Sequence, residues 1–132
     1  MLNPFPDLLV LGFTAPTLIR VAAAALFLYV AYMQYQRRDE ISKLNFPIIG
    51  RGAQFAWLAV TFHTVVGAML FFGYYTQIAA LLGIVGLLKG LWLNRQYPTM
   101  TILPRSTIFL LIVICASLML SGAGAFAFDI PL

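Results

Sequence analysis

Polar side chains are concentrated in a few short stretches of this chain. The apolar runs between them predict four helices over residues 17–35, 53–72, 77–93 and 106–121. Each run approaches the roughly 20 apolar residues that carry an α-helix across hydrocarbon, and the last is the shortest. The pattern therefore predicts an all-α membrane protein, a four-transmembrane-helix bundle forming one domain over residues 1–132. Helices 1 and 2 are joined by YQRRDEISKLNFPIIGRG, the only long polar connection. GYYTQ is a tight turn between helices 2 and 3, with Gly73 breaking the helix and the tyrosines at interfacial depth. NRQYPTMTILPRS joins helices 3 and 4, so no soluble catalytic domain is expected. Pro16 suits a first helical turn, where its missing N–H costs nothing, which leaves Leu8 to Phe13 as a separate apolar lead-in.

Composition agrees with that pattern. Of 132 residues, 62% are hydrophobic and 9% charged, against roughly 25% charged in an ordinary soluble domain. Charge then sets the orientation, because short cytoplasmic loops keep Lys and Arg. Arg37, Arg38, Lys43 and Arg51 fall in the first connection, Arg95 and Arg105 in the third, and the turn between helices 2 and 3 has none. Both termini, carrying Asp7 and Asp129, are accordingly expected on the outer side. The net charge of +4 reads as this topology signal and as weak attraction to anionic lipid, not as a nucleic-acid surface. With no Lys or Arg ahead of the first apolar run, helix 1 is expected to be retained, not cleaved as a signal peptide.

The single cysteine, Cys115, leaves no thiol pair for disulfide exchange. The single histidine leaves no bis-His haem site and no cluster for a metal. No intrinsic cofactor is expected.

Three ionisable side chains fall inside the apolar runs: Arg20, His63 and Lys89. Such residues are costly in hydrocarbon and are functional candidates by default. Arg20, about one turn into helix 1, either forms a structural ion pair with Asp129 or faces a ligand. Lys89, near the cytoplasmic end of helix 3, either snorkels to the headgroups or lies beside a packed seam next to Gly86 and Gly90. His63 lies near the bilayer midplane with no long stem on which to escape, so it requires hydrogen-bond partners inside the protein. It shares a face with Ala56, Ala59 and Gly67, small residues that admit a neighbouring helix; it is either a packing histidine or one that handles a proton or a ligand. A second small-residue stripe, Ala79, Gly83, Gly86 and Gly90, marks helix 3 as a packing surface, and Ala22 to Ala25 and Ala31 mark helix 1. Phe27, Tyr29, Tyr32, Phe55, Trp57, Phe62, Phe71, Phe72 and Trp92 are expected mainly toward lipid or at the interface, although a flat apolar ligand also requires such walls.

Taken in order, H63-TVV-G67-AMLFF-G73-YY-T76-QI-AA and the closing G122-A-G124-A-F-A-F-D129 resemble the DoxX family of small four-helix membrane proteins. Arg20 near the start of helix 1 and Tyr29 and Tyr32 toward its end fit the same family, and the likeness runs from about residue 16 onward. Two departures stand out. His63 replaces the family's usual intramembrane acid, and Ala123 and Ala125 stand where proline and a basic residue are frequent. A neutral imidazole cannot balance the helix 1 arginine, which makes Asp129 the leading candidate to do so.

The resemblance implies a subunit of a prokaryotic cytoplasmic membrane, associated with a redox complex and binding a quinone or lipid-like molecule within the bundle. His63 would then offer a hydrogen bond to a quinone oxygen, with Arg20 or Lys89 stabilising negative charge and Tyr29 and Tyr32 among the walls. Electrons would have to come from a partner subunit. The alternative is a non-catalytic accessory or assembly subunit, packed on a larger membrane complex through its glycine and alanine faces. Solute transport is weaker, because no duplicated half or pair of broken helices is present.

Overall fold

The computed structural model describes residues 11–46, 50–98, 102–124 and 126–128. Its elements are α1 (Ala15–Gln36), α2 (Arg38–Ser42), β1 (Asn45–Phe46), β2 (Gly50–Arg51), α3 (Gly52–Phe72), α4 (Thr76–Gln96) and α5 (Arg105–Ser121). Three helices, spanning Leu11–Gln36, Gly52–Phe72 and Thr76–Gln96, are long and apolar enough to cross a membrane, and α5 is apolar but shorter. Successive long helices alternate in direction. One end of the bundle therefore gathers the close of α1, the start of α3, the close of α4 and the start of α5. This basic end carries Arg37, Arg38, Lys43, Arg95 and Arg105; the opposite, turn end holds the α3–α4 connection. Although α5 is short, it reaches the turn end, where Gln77 Nε2 donates to the Met119 carbonyl at 3.2 Å.

The first connection is not a plain polar loop. It folds into α2 and a two-residue antiparallel ribbon, Asn45 opposite Arg51 and Phe46 opposite Gly50. Ile41 of α2 is buried against Phe55 and Ala56 of α3, with Leu44, Leu93 and Tyr97 packed around them. A Cβ at Gly52 would collide with the carbonyls of Leu44 and Ile41, so glycine there lets α2 lie against the start of α3. Pro16 sits in the first turn of α1, preceded by a 3₁₀ turn over residues 11–14. Residues 8–10 of the expected apolar lead-in lie outside the described residues.

The main core lies between α1, α3, α4 and α5. Spacing of three and four residues puts Arg20, Ala23, Ala24, Phe27, Val30 and Ala31 on the inner face of α1. The small residues of α3 and α4 receive large ones from their neighbours. A Cβ on Gly67 would come within 2.9 Å of Leu28, one on Gly83 within 2.9 Å of Phe27, and one on Gly86 within 2.5 Å of Phe62. Ala79 is fully buried in the same cluster. This is the close approach that membrane helices achieve with small residues.

The aromatic expectation needs two corrections. Phe27 is fully buried, because Gly83 leaves room for its ring, and Phe55 is buried because α2 covers it. Tyr29, Tyr32, Trp57, Phe71, Phe72 and Trp92 are exposed on the helix exteriors. Gly90 also differs from the packing role expected of it, since a Cβ there would meet no atom within 4 Å. It faces open space.

Candidate functional site

That space is a cavity of about 320 Å³ in the half of the bundle nearer the basic end, within the range of about 300–1,000 Å³ typical of small-molecule sites. It arises because α3 and α4, held together at their turn, contact each other less extensively than α3 contacts α1 or α4 contacts α5. The gap between them is lined by Phe55, Leu58, Phe62 and His63 from α3 and by Val85, Lys89, Gly90 and Asn94 from α4. Val30 and Gln34 of α1 and Ile108 of α5 complete the walls. Most of this lining is apolar. Leu58 and Val85, exposed at 60% and 55%, line it from helices that are long and apolar enough to cross a membrane.

Two of the sequence-nominated polar residues meet here. His63 belongs to the twelfth position of α3, about 16 Å along the axis from the helix start. Its Nδ1 lies 2.8 Å from the Ala59 carbonyl one turn back. The ring packs against Phe27, with centroids 6.1 Å apart, and edge-on against Phe62 at 5.5 Å. Lys89 is deeper than the sequence reading placed it, because α4 continues to Gln96 and leaves Lys89 about 10 Å from that end. Its ammonium reaches back toward the basic end, 5.8 Å from the centroid of the Phe55 ring. The histidine and the ammonium therefore sit at different depths of one cavity, on the order of one to two helical turns apart.

Arg20, Tyr29 and Tyr32 are not among the residues that line it. Tyr29 and Tyr32 project outward, and the Tyr32 hydroxyl accepts from Gln36 Nε2 at 2.7 Å. Arg20 is 2% exposed at the other end of the molecule. Its Nη2 donates to the Phe126 carbonyl at 3.1 Å, and its guanidinium lies where a Cβ on Gly73 would fall. Asp7 and Asp129, expected near this arginine, lie outside the described residues. Beyond α5 the chain turns at Gly122 (φ 76°) and Gly124 (φ 71°) and folds back over the turn end. Gly124 is seated against Pro16 and Thr17, and the Phe128 N–H donates to the Phe72 carbonyl at 3.4 Å. Arg20 thus fastens the closing segment to the α3–α4 turn.

Gln34 and Asn94 are not singled out by the sequence pattern. The pattern places Asn94 in the connection after helix 3, yet it is buried in the last turns of α4. The signal was present: Gly86, Gly90 and Asn94 recur every four residues along one face, as do Val30 and Gln34 on α1. Gln34 Oε1 is buried on the cavity wall with no hydrogen-bond partner among the described residues.

Comparison with known proteins adds one finding: the sequence model of the family described as DoxX matches residues 8–93, from the lead-in to α1 through most of α4. No curated protein and no solved structure matches the chain.

Proposed function

We propose that this chain, which belongs to the DoxX family, is a multi-pass membrane subunit that binds a quinone-class or similarly lipid-like molecule between α3 and α4, beside a redox partner. The observation that carries this reading is the cavity itself. Its walls are aromatic and aliphatic, its polar groups are few and set at two depths, and two of its lining residues, Leu58 and Val85, are exposed on helices able to cross a membrane. A ligand entering between those two residues would have to partition into lipid. Aromatic walls at Phe55 and Phe62 suit a flat ring, and a Lys89 ammonium on the cavity wall can donate to a ring oxygen.

Gly90 provides the sharpest test, because its missing side chain contributes to the space. Gly90→Leu adds four carbons that start from a Cβ with no atom within 4 Å and extend into the cavity that Gly90 lines, so the bundle is expected to fold. Affinity for a short-chain quinone is expected to fall by about tenfold or more, as one misplaced contact of about 1.4 kcal/mol would produce. Organic extraction and mass spectrometry of purified protein read the same occupancy, with quinone present in the parent chain and depleted in the variant. Equal quinone content in both would sink the pocket assignment.

The basic end is assigned to the cytoplasm by its Lys and Arg. Cys115 is fully buried, so an added surface thiol can be read against a silent background. Tyr74→Cys, in the α3–α4 turn, is expected to react with a membrane-impermeant maleimide on intact cells, and Asp39→Cys, on α2, only after the membrane is opened. The reverse pattern overturns the orientation.

A further inference from the structure

We propose that the cavity holds its ligand through a hydroxyl group that donates to Nε2 of His63, and so takes the hydroquinone form of a ring ligand in preference to the corresponding quinone. This inference rests on the cavity being a ligand site, and narrows what that site accepts. The hydrogen bond to Ala59, 2.8 Å from Nδ1 to the carbonyl oxygen, decides the tautomer. A carbonyl oxygen can only accept, so the hydrogen resides on Nδ1. A neutral imidazole has one N–H, which leaves Nε2 as a bare lone pair. That nitrogen has no hydrogen-bond partner among the described residues.

The alternatives are worse. With the hydrogen on Nε2, the Nδ1 lone pair would face the Ala59 oxygen at 2.8 Å, two acceptors with nothing between them. A doubly protonated ring would place an unpaired charge in a mostly apolar lining, a cost that ring contacts with Phe27 and Phe62 do not offset, while the described acids, Asp39 and Glu40, lie on α2 at the basic end. Neutral imidazole with Nδ1–H is the arrangement this packing supports.

The consequence reverses the expectation that His63 donates to a quinone oxygen. A quinone oxygen offers only lone pairs, which a bare Nε2 cannot bind. A hydroquinone hydroxyl offers a hydrogen. Gln34, whose buried amide end is unpartnered on the same wall, adds a polar group that can accept or donate according to how the amide is turned. Lys89, which can only donate, suits the lone pairs of an oxygen nearer the basic end. A ring carrying hydroxyls at opposite positions satisfies both depths of the cavity, donating to Nε2 at one and accepting from the ammonium at the other.

His63 is the only histidine, so imidazole ¹⁵N NMR of the full chain in nanodiscs reads it alone. The expected spectrum shows a protonated Nδ1 and an unprotonated Nε2; a protonated Nε2 overturns the inference. Binding supplies the second arm, with three probes sharing one ring and one short alkyl tail: a benzoquinone, its hydroquinone kept anaerobic, and the hydroquinone dimethyl ether. The hydroquinone is expected to bind about tenfold more tightly than either of the others, the equivalent of one hydrogen bond. His63→Phe keeps a ring but removes the acceptor, and is expected to erase that preference, so that hydroquinone binds no more tightly than quinone. Equal saturable binding of all three probes, or a preference that survives in His63→Phe, overturns the hydroxyl-donor inference alone. Saturable binding of none overturns the ligand site as well. If His63→Phe does not fold, the dimethyl ether and the NMR spectrum of the parent chain decide the matter without it.

Discussion

Arg20→Ala is expected to destabilise the bundle by about 2 kcal/mol and to release the segment after α5. Two effects oppose each other. Removing the guanidinium relieves the cost of holding a charge beneath protein, where it is 2% exposed. In the separated helix that charge lies less than two turns from the start of α1, close enough to reach the headgroups along its stem, so the relief is partial. Against it stands the loss of hydrogen bonds from a charged donor, about 1.5–3 kcal/mol each where they are well formed, together with the packing of the stem beneath the Gly73 turn. The loss dominates. Denaturant titration in mixed micelles measures the total, and limited proteolysis of residues 122–128 reports the local release, because the Arg20 bond to Phe126 holds them down. Arg20→Lys is expected to recover only part of the stability, since an ammonium lacks the planar fork that reaches several oxygens at once. A stable Arg20→Ala variant whose closing segment still resists protease would contradict the role assigned to this residue.

How much of this could be seen in the chain depends on the length scale over which each feature is encoded. The long helices and their membrane character follow from runs of apolar residues that have no other stable use, and the turn at Gly73 follows from a glycine between two such runs. Resemblance to the DoxX family was legible from the order of His63, Gly67, Gly73 and Thr76. Features set by tertiary context were not. α2 gains its place by burying Ile41 on Phe55, a contact between segments that the local pattern reads as loop. The extension of α4 through Asn94 was hidden because polarity ordinarily marks a helix end, whereas here Asn94 turns inward beside the cavity. Residue type alone also could not separate Gly86, filled by the ring of Phe62, from Gly90 four residues on, which meets no neighbour; that difference depends on what stands opposite on α3. The same holds for the ionisable residues. His63 and Lys89 share a cavity and Arg20 does not, and this grouping is decided by where α3 and α4 separate, a distance no single-chain motif records.

The turn end makes the steepest mutational prediction, at Gly73. This residue has φ 66°, a left-handed conformation that costs an L-residue roughly 1–2 kcal/mol. Space is the second obstacle, because a Cβ there would fall on the Arg20 guanidinium and within 2.6 Å of the Ala127 Cβ. Gly73→Ala is therefore expected to lose the backbone term and to displace the guanidinium as well, about 3–4 kcal/mol in all when the lost hydrogen bonding is included. The two contributions separate in a double-mutant cycle. In an Arg20→Ala background the alanine at 73 no longer meets a guanidinium, so its cost is expected to fall toward the backbone term, leaving a coupling of about 1–2 kcal/mol between the two sites. Additive losses would mean that the arginine and the turn do not touch in the folded protein, and the closing segment would then need another anchor. Quinone affinity supplies the control, since the cavity lies in the other half of the bundle: variants that remain folded are expected to bind as the parent chain does.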